Sequence, residues 1–345
     1  MNAIQIKQFG APYEVSRVSK PSPKPNQVLI KIKAGGLCHT DLMVLENAFN
    51  STLPVIGSHE PAGIIEEVGS AVEGFKVGDH VGALNFENPC GKCGDCTSEK
   101  PIYCDAPEMK GITADGAWAD YMVSDYRFVV KLPDGMPFPV AACLMCAGST
   151  MYGALTKANM PKGSSIAIFG IGGLGHIGTQ IGKAMGYKIV AIDAKQSALD
   201  LVASYDLKPD ACILATNGAE KVIATIQSSI KDDSPYPGVD ASIVATDAAA
   251  AFDMATKVTK KHGTLVVVGQ PSEGINFSYH TLIFRDIKVV GSLLATTAQA
   301  QELVQLVHDA KIQLKIKEWK MEDAEAMKQE YMTGKGDGKN VIVME

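Results

Sequence analysis

Basic excess is missing from this 345-residue sequence. Thirty-two Lys and Arg stand against thirty-eight Asp and Glu, a formal charge of −6, so nothing in the balance points to nucleic acid, which wants a basic face. No apolar run reaches the ~18 residues of a membrane span, so no membrane partner is expected. The start, MNAIQIKQFGAPYEV, has no basic flank followed by an apolar core, and a secretory signal is not expected. A cytoplasmic location is expected, where thiols stay reduced, and the eight cysteines are not expected to pair as disulfides. Internal repeats and low-complexity segments are absent as well, which excludes solenoids and linker-like chains. The His59-Glu60 pair continues Pro-Ala-Gly and so does not make H-E-x-x-H, the helical zincin motif. What remains is an ordinary globular balance, 46 % hydrophobic and 20 % charged, in a length that suggests about two domains of ~150 residues.

The texture changes near residue 163. Short apolar runs (SSIAIFG, YKIVAID, DACILAT, VDASIVAT, GTLVVVG, DIKVVGSLL) alternate with helical stretches such as AEKVIATIQSSI and AAAAFDMATKVTKK. Strands that are apolar throughout and separated by helices mean a parallel sheet covered on both faces. Six such strands between Ser164 and Leu294 are as many as a doubly wound dinucleotide-binding sheet has. Upstream, QVLIKIKAGG, AGIIEEVG and DHVGAL read as strands punctuated by Gly and Pro turns, an irregular β-rich lobe. A helix near Met321–Tyr331 and a final strand KNVIVM are expected to return to that lobe. The fold class is therefore α/β, a doubly wound parallel sheet joined to a β-rich unit.

Four cysteines crowd into PCGKCGDCTSEKPIYC. Cys90, Cys93, Cys96 and Cys104 read C-x2-C-x2-C-x7-C. Two-residue gaps let successive thiolates turn towards one centre, and a fourth from beyond a short loop closes a tetrahedral zinc site. The bacterial ferredoxin run begins the same way but continues x3-C-P, whereas here the last gap is seven and Asp105 follows. Structural zinc is the favoured reading, with an iron–sulfur cluster and unligated thiols still open. A closed four-thiolate site offers substrate no position, so the chemistry is expected elsewhere.

Gly170-Ile171-Gly172-Gly173-Leu174-Gly175 fits G-x-G-x-x-G, follows the strand SIAIF and opens a helix, which is the context that gives the motif meaning. Gly170 permits the tight turn, Gly172 lets backbone approach a pyrophosphate, and Gly175 lets helix and sheet pack closely. The helix N-terminus offers free N–H groups to the phosphates. Asp193 ends the next strand, where a carboxylate accepts from the adenosine ribose and repels a 2′-phosphate, favouring NAD over NADP. Lys195, a nearby cation, works against that preference. The plainer alternative is a glycine-rich turn that binds nothing. His176, on the helix start, reads as packing or phosphate-proximal rather than as a metal ligand.

Cys38, Cys143, Cys146 and Cys212 remain. Cys212 lies in DACILA and reads as a small hydrophobe in a buried strand. A second metal site from Cys38, His59 and either Cys143 or Cys146 stays open on spacing alone. The motifs CHTD, GSHEPAGIIEEVG, the four-cysteine lobe, CAGST and GIGGLG, in that order, resemble the zinc-dependent medium-chain alcohol dehydrogenases over essentially the whole chain. The resemblance implies a GroES-like catalytic zinc domain over residues 1–150 and 295–345 and a Rossmann NAD-binding domain over 151–294, with substrate between them. It implies two zinc ions per subunit. Cys38, His59 and Cys146 would hold the catalytic one, Cys90, Cys93, Cys96 and Cys104 the structural one, and Cys143 would be structural packing.

The same resemblance gives Thr40 the alcohol proton, Asp41 the orientation of His59, and Glu60 a place near the zinc. His39 would lie near the pyrophosphate, Thr150 at the nicotinamide ring, and Val268 would offer backbone to the carboxamide. The implied reaction passes hydride between primary or secondary alcohols and NAD(H). A polyol dehydrogenase of the same superfamily and a catalytically silent NAD-binding protein are the alternatives. A homotetramer is expected, with a homodimer as the other state. Four positions depart from the family pattern. Ser58 stands where Gly precedes the ligand histidine, and Met43 stands where a histidine ends the proton relay. Lys339-Asn340 stands where an arginine reaches the pyrophosphate, which predicts a looser cofactor grip. Asn85 stands where an aromatic lines the alcohol pocket, which predicts a hydroxylated or larger substrate unless Phe86 or Trp118 restores an apolar wall.

Overall fold

The structure, a computed structural model, describes residues 1–345 except Asp232, Lys335 and Asp337. The chain forms two compact units, one of residues 1–147, 296–308 and 315–345 and the other of 148–295 and 309–314.

The first unit is built around the strand Gln27–Leu37, nearly all of it buried. Its apolar side chains pack on both faces, and its backbone pairs with strands along both edges. Pro61–Val68 and Lys339–Val343 flank it antiparallel, with Tyr121–Asp125 also paired to it, and the sheet continues through His80–Ala83, Val129–Lys131 and Ile316–Trp319. The C-terminal strand therefore returns to the middle of the first unit: Val341 lies opposite Gly36 and Asn340 opposite Leu37. That register brings the C-terminal strand to the turn that leads into Cys38.

The second unit holds a six-stranded parallel sheet in the order Ala211–Leu214, Lys188–Asp193, Ser165–Phe169, Val239–Val244, Thr259–Val267, Lys288–Gly291. In chain sequence that is 3-2-1-4-5-6, the doubly wound order. Ser165–Phe169 is buried at every position, as a central strand covered on both faces must be.

Three expectations change. Residues 148–150, 295 and 309–314, expected in the first unit, cluster with the second, where Gln180 Nε2 donates to Gln313 O at 2.6 Å and Gln313 N–H donates to Gln180 Oε1 at 3.0 Å. Cys212 is exposed, whereas Ile213, whose side chain takes the opposite face of the outer strand Ala211–Leu214, is buried. The helical run Phe138–Ala158, 21 residues, is long and apolar enough to cross a membrane, although Pro, Gly, Ser and Thr break the apolar run in the sequence. Most of it is buried within the protein, which makes it a core helix.

Candidate active site

Cys38 caps the helix His39–Leu45 from an extended backbone conformation (φ −122°, ψ 161°). The cap is held by Asp41, fully buried, whose Oδ2 accepts from Cys38 N–H at 2.8 Å and whose Oδ1 accepts from Ser58 N–H at 3.0 Å. The same Oδ1 lies 3.7 Å from His59 Nδ1. One carboxylate thus ties the Cys38 turn to the His59 turn and faces the imidazole. Ser58 sits at φ +70°, the left-handed region that favours glycine. Its hydroxyl donates to Gly36 O at 2.8 Å, so this serine gains a local bond that a glycine lacks. Cys146 comes from a π-helical turn, Leu144–Gly148, between the α-helices Phe138–Cys143 and Ser149–Ala158. Such bulges re-aim side chains and recur at functional sites.

These elements bring Cys38, His59, Glu60 and Cys146 together, with donor atoms all within 4.8 Å of one another. Cys38 Sγ lies 3.9 Å from Cys146 Sγ, and His59 Nε2 lies 3.2 Å from Cys146 Sγ. Tetrahedral zinc with bonds of ~2.3 Å to sulfur and ~2.0 Å to nitrogen would separate these pairs by ~3.5–3.8 Å, so the spacing fits a shared ion. Two buried atoms of this cluster, His59 Nδ1 and Glu60 Oε2, have no hydrogen-bond partner among the described residues. A proton on Nδ1, facing Asp41, would turn the Nε2 lone pair to the sulfurs, the arrangement of a ligating histidine with a carboxylate behind it. Cys146 lowers the Cys38 thiol well below the usual range, with His59 and Lys339 helping against burial. Burial lifts the Glu60 carboxyl to about 7 although Lys339 pulls it down. Thr40 Oγ1 lies 3.7 Å from Cys38 Sγ. Cys143, the other candidate, is fully buried.

The second cluster, Cys90, Cys93, Cys96 and Cys104, also has its donor atoms within 4.8 Å. Backbone N–H groups of Cys90, Cys93 and Cys96 donate to the sulfurs of Cys104, Cys90 and Cys93 at 3.3–3.5 Å. Backbone N–H groups of Lys92 and Cys93 hold the Cys90 thiol below its usual range and those of Cys90 and Ala106 do the same for Cys104, whereas burial pushes the Cys96 thiol up to about 12. Gly91 takes φ +70°, the turn that the first two-residue gap needs.

In the second unit, Gly170 takes φ +88°, and a Cβ added there would sit 2.7 Å from Thr246 Cβ. A Cβ on Gly172 would meet no protein atom within 4 Å, whereas one on Gly175 would lie 2.0 Å from Gly170 O. Gly172 therefore leaves open space over the turn, and Gly175 is needed for close packing. Gly173 and Leu174 complete the turn before the helix Gly175–Ala184. Asp193, at the end of its strand, accepts from Ile171 N–H at 2.5 Å and Lys195 N–H at 2.8 Å, which locks the carboxylate beside the glycine turn. His176 is fully buried with Nδ1 2.9 Å from Gly172 O. Thr150 is buried on the helix Ser149–Ala158, and Val268 N–H donates to Val244 O at 3.2 Å. His39 is exposed and Met43 half-buried.

Two departures resolve in a way the sequence did not show. Phe86 packs on Phe128 with ring centroids 5.9 Å apart, and Trp118 packs on Tyr13 at 5.1 Å and donates from Nε1 to Gly35 O. Both rings are enclosed in the interior. Lys339 is buried, donating to Glu60 Oε1 at 2.7 Å and Leu37 O at 2.8 Å, while Asn340 Oδ1 accepts from Trp319 Nε1 at 2.7 Å. Lys339 lies against the Glu60 of the metal cluster, a place its sequence position did not suggest. The alternation in KNVIV, which puts Lys339 on the face of fully buried Val341, was the available signal.

A doubly wound nucleotide sheet and a two-sulfur, one-imidazole cluster in one chain define the class of zinc-using dinucleotide dehydrogenases. The comparisons agree. Residues 24–134 match the alcohol dehydrogenase GroES-like domain and residues 173–309 the zinc-binding dehydrogenase domain. An alcohol dehydrogenase of Geobacillus stearothermophilus is 33 % identical over 99 % of both chains. The alcohol dehydrogenase of the archaeon Aeropyrum pernix superposes with a TM-score of 0.87 at 26 % identity, over the whole of both chains. Acetophenone reductase from Geotrichum candidum, solved with NAD, gives 0.84 at 26 % identity, over 99 % of this chain and 97 % of that one. The chain belongs to the zinc-dependent medium-chain alcohol dehydrogenase family.

Proposed function

We propose that this protein is an NAD-dependent alcohol dehydrogenase that passes hydride between primary or secondary alcohols and the nicotinamide. The observation that carries the reading is the convergence of Cys38, His59 and Cys146, with sulfur and nitrogen at ligand spacing and Asp41 behind the imidazole. Zinc held there supplies Lewis acidity, which brings an alcohol hydroxyl from a pKa of ~16 towards ~7. Thr40 takes up the released proton, and Asp41 keeps His59 in its ligating tautomer. Cys90, Cys93, Cys96 and Cys104 hold a second, structural zinc, giving two per subunit.

Gly170, Gly172, Gly173, Leu174 and Gly175 cradle the pyrophosphate, with His39 nearby, and Thr150 and Val268 meet the nicotinamide. Asp193 keeps lone pairs for the ribose hydroxyls beyond the two backbone bonds it accepts, and its charge opposes a 2′-phosphate. In this reading residues 1–150 and 295–345 form the catalytic domain and residues 151–294 the cofactor domain. A cytoplasmic homotetramer completes the reading. The test is a panel of primary, secondary and polyhydroxy alcohols monitored by NADH appearance, run beside metal analysis. No NADH from any alcohol with two zinc ions bound would end the proposal.

A further inference from the structure

Lys110 is 1 % exposed, an ammonium held in the interior. Its Nζ has three acceptors: Leu84 O at 3.1 Å, Phe86 O at 2.6 Å and Glu87 Oε2 at 2.8 Å. Its backbone N–H donates to Asn85 O at 2.7 Å. One residue thus holds every position from Leu84 to Glu87. Glu87 is buried too and is anchored in turn. Its Oε1 accepts from Gln27 Nε2 at 2.6 Å, and Asp125 N–H reaches Oε1 and Oε2 at 2.8 and 2.9 Å. Gln27 and Asp125 are paired ends of the strands Gln27–Leu37 and Tyr121–Asp125, so the clamp is fastened to the sheet of the first unit.

Glu87 lies three residues before Cys90 and Lys110 six after Cys104. The pair therefore closes the neck of the four-cysteine lobe, where Phe86–Glu87 runs antiparallel to Glu108–Met109. None of the partners just named lies within the lobe, residues 88–107. On its other side the clamp leads to the metal cluster. A Cβ on Gly111 would lie 2.5 Å from Ser58 C and O and 2.9 Å from His59 N, and one on Gly116 would lie 2.0 Å from Ser58 O. Ala117 N–H donates to the same Ser58 O at 2.8 Å. The residues that follow Lys110 brace the peptide that carries His59.

From this geometry we infer that Lys110 is a positioning residue for the metal site. With Glu87 it fixes the brace behind His59, and it does so independently of the metal in the four-thiolate lobe. The physical reason is where the charge is satisfied. A buried ammonium is costly to move away from its carboxylate and carbonyl acceptors, and here those acceptors are tied to the ends of two paired strands. Motion within the lobe stops at that clamp. Without the ammonium, Leu84 O and Phe86 O lose a donor, Glu87 loses its cation, and residues 110–117 loosen against Ser58. His59 then loses the fixed backing that keeps Nε2 3.2 Å from Cys146 Sγ. This inference rests on the proposed function, since it is read at a metal held by Cys38, His59 and Cys146.

Cobalt(II), exchanged into that site with zinc left in the four-thiolate lobe, reports the ligand geometry through its visible bands. In Lys110→Met the bands should shift and cobalt affinity should fall ~10-fold or more, as when a partner behind a ligand is lost, with the lobe zinc retained. Cys93→Ser, which breaks the lobe site, should leave the bands in place when measured below its melting range. Its cobalt affinity should stay within about twofold, as it does for independent sites. Unmoved bands in Lys110→Met would overturn the inference even if the protein melts earlier, because a role confined to stability does just that. A band shift in Cys93→Ser as large as that in Lys110→Met would overturn it too, since the lobe would then set the site. If Lys110→Met fails to fold, combining it with Glu87→Gln leaves no unpaired charge in the clamp, and unmoved bands in that double variant would equally overturn it. A wild-type protein that takes no cobalt at Cys38, His59 and Cys146 would sink the proposed function as well, whereas cobalt binding insensitive to Lys110 would sink this inference alone.

Discussion

Replacing Asp41 by Asn tests how the site is wired. The carboxylate accepts from Cys38 N–H and Ser58 N–H, one on each oxygen, and faces His59 Nδ1 at 3.7 Å. An amide has one acceptor oxygen. If it serves Cys38 N–H, the –NH2 group confronts Ser58 N–H and any proton on His59 Nδ1. If it serves Ser58, the Cys38 cap is lost. Either way a charge-assisted bond worth ~1.5–3 kcal/mol disappears and a buried N–H is left unpaired at ~1–3 kcal/mol. Most of that loss is expected in local order around Cys38 and His59, because Asp41 is where the two turns meet. Removal of such a carboxylate behind a ligating histidine lowers metal affinity ~10–100-fold. The assay is zinc competition with a chromogenic chelator, in which the four-thiolate lobe serves as control within the same molecule. One zinc should leave ~10–100-fold more readily while the other stays. Equal retention of both ions in Asp41→Asn would refute the wiring, as would equal loss of both.

Cys146→Ser should abolish turnover with little change in unfolding, whereas Cys93→Ser should mainly destabilise the fold; activity and thermal melting of the pair check this. Gly172→Ala should leave stability nearly unchanged, since its Cβ meets no protein atom within 4 Å, yet weaken NAD binding. Gly175→Ala should damage both, because its Cβ would lie 2.0 Å from Gly170 O; calorimetric NAD titration with melting curves separates the two. Asp193→Ser should erode the preference for NAD over NADP, read as the ratio of kcat/KM values, and an unmodified enzyme that used both equally would contradict the ribose role. Met43→His should raise alcohol oxidation most near neutral pH, where a histidine of pKa ~6.5 is largely unprotonated and accepts a proton. Its gain should stay below the ~10²–10⁴-fold of general-base help and shrink at alkaline pH. Identical single-turnover profiles from pH 6 to 10 would show that the relay does not run through that position.

The sequence by itself determined whatever depends on neighbours along the chain. The x2 gaps of Cys90, Cys93 and Cys96 and the glycines of GIGGLG are local geometry, and a few residues of backbone suffice to impose it. The six apolar strands were legible for a related reason, since burial on both faces leaves no alternation to misread. Tertiary structure decided what depends on meeting a distant partner. Cys38 meets Cys146 across 108 residues and Glu60 meets Lys339 across 279, and no local pattern marks either encounter. Spacing left Cys143 and Cys146 equivalent; a π-turn places Cys146 at the cluster and leaves Cys143 in the core. Cys212 followed its strand's apolar pattern in sequence yet is exposed, because only one face of the outer strand Ala211–Leu214, the face of Ile213, is buried. Lys339 is the sharpest case. As a sequence letter it is a weak stand-in for a phosphate-binding arginine. In the fold, the register that sets Val341 opposite Gly36 carries it into the interior, where a buried lysine must find a carboxylate, and it donates to Glu60.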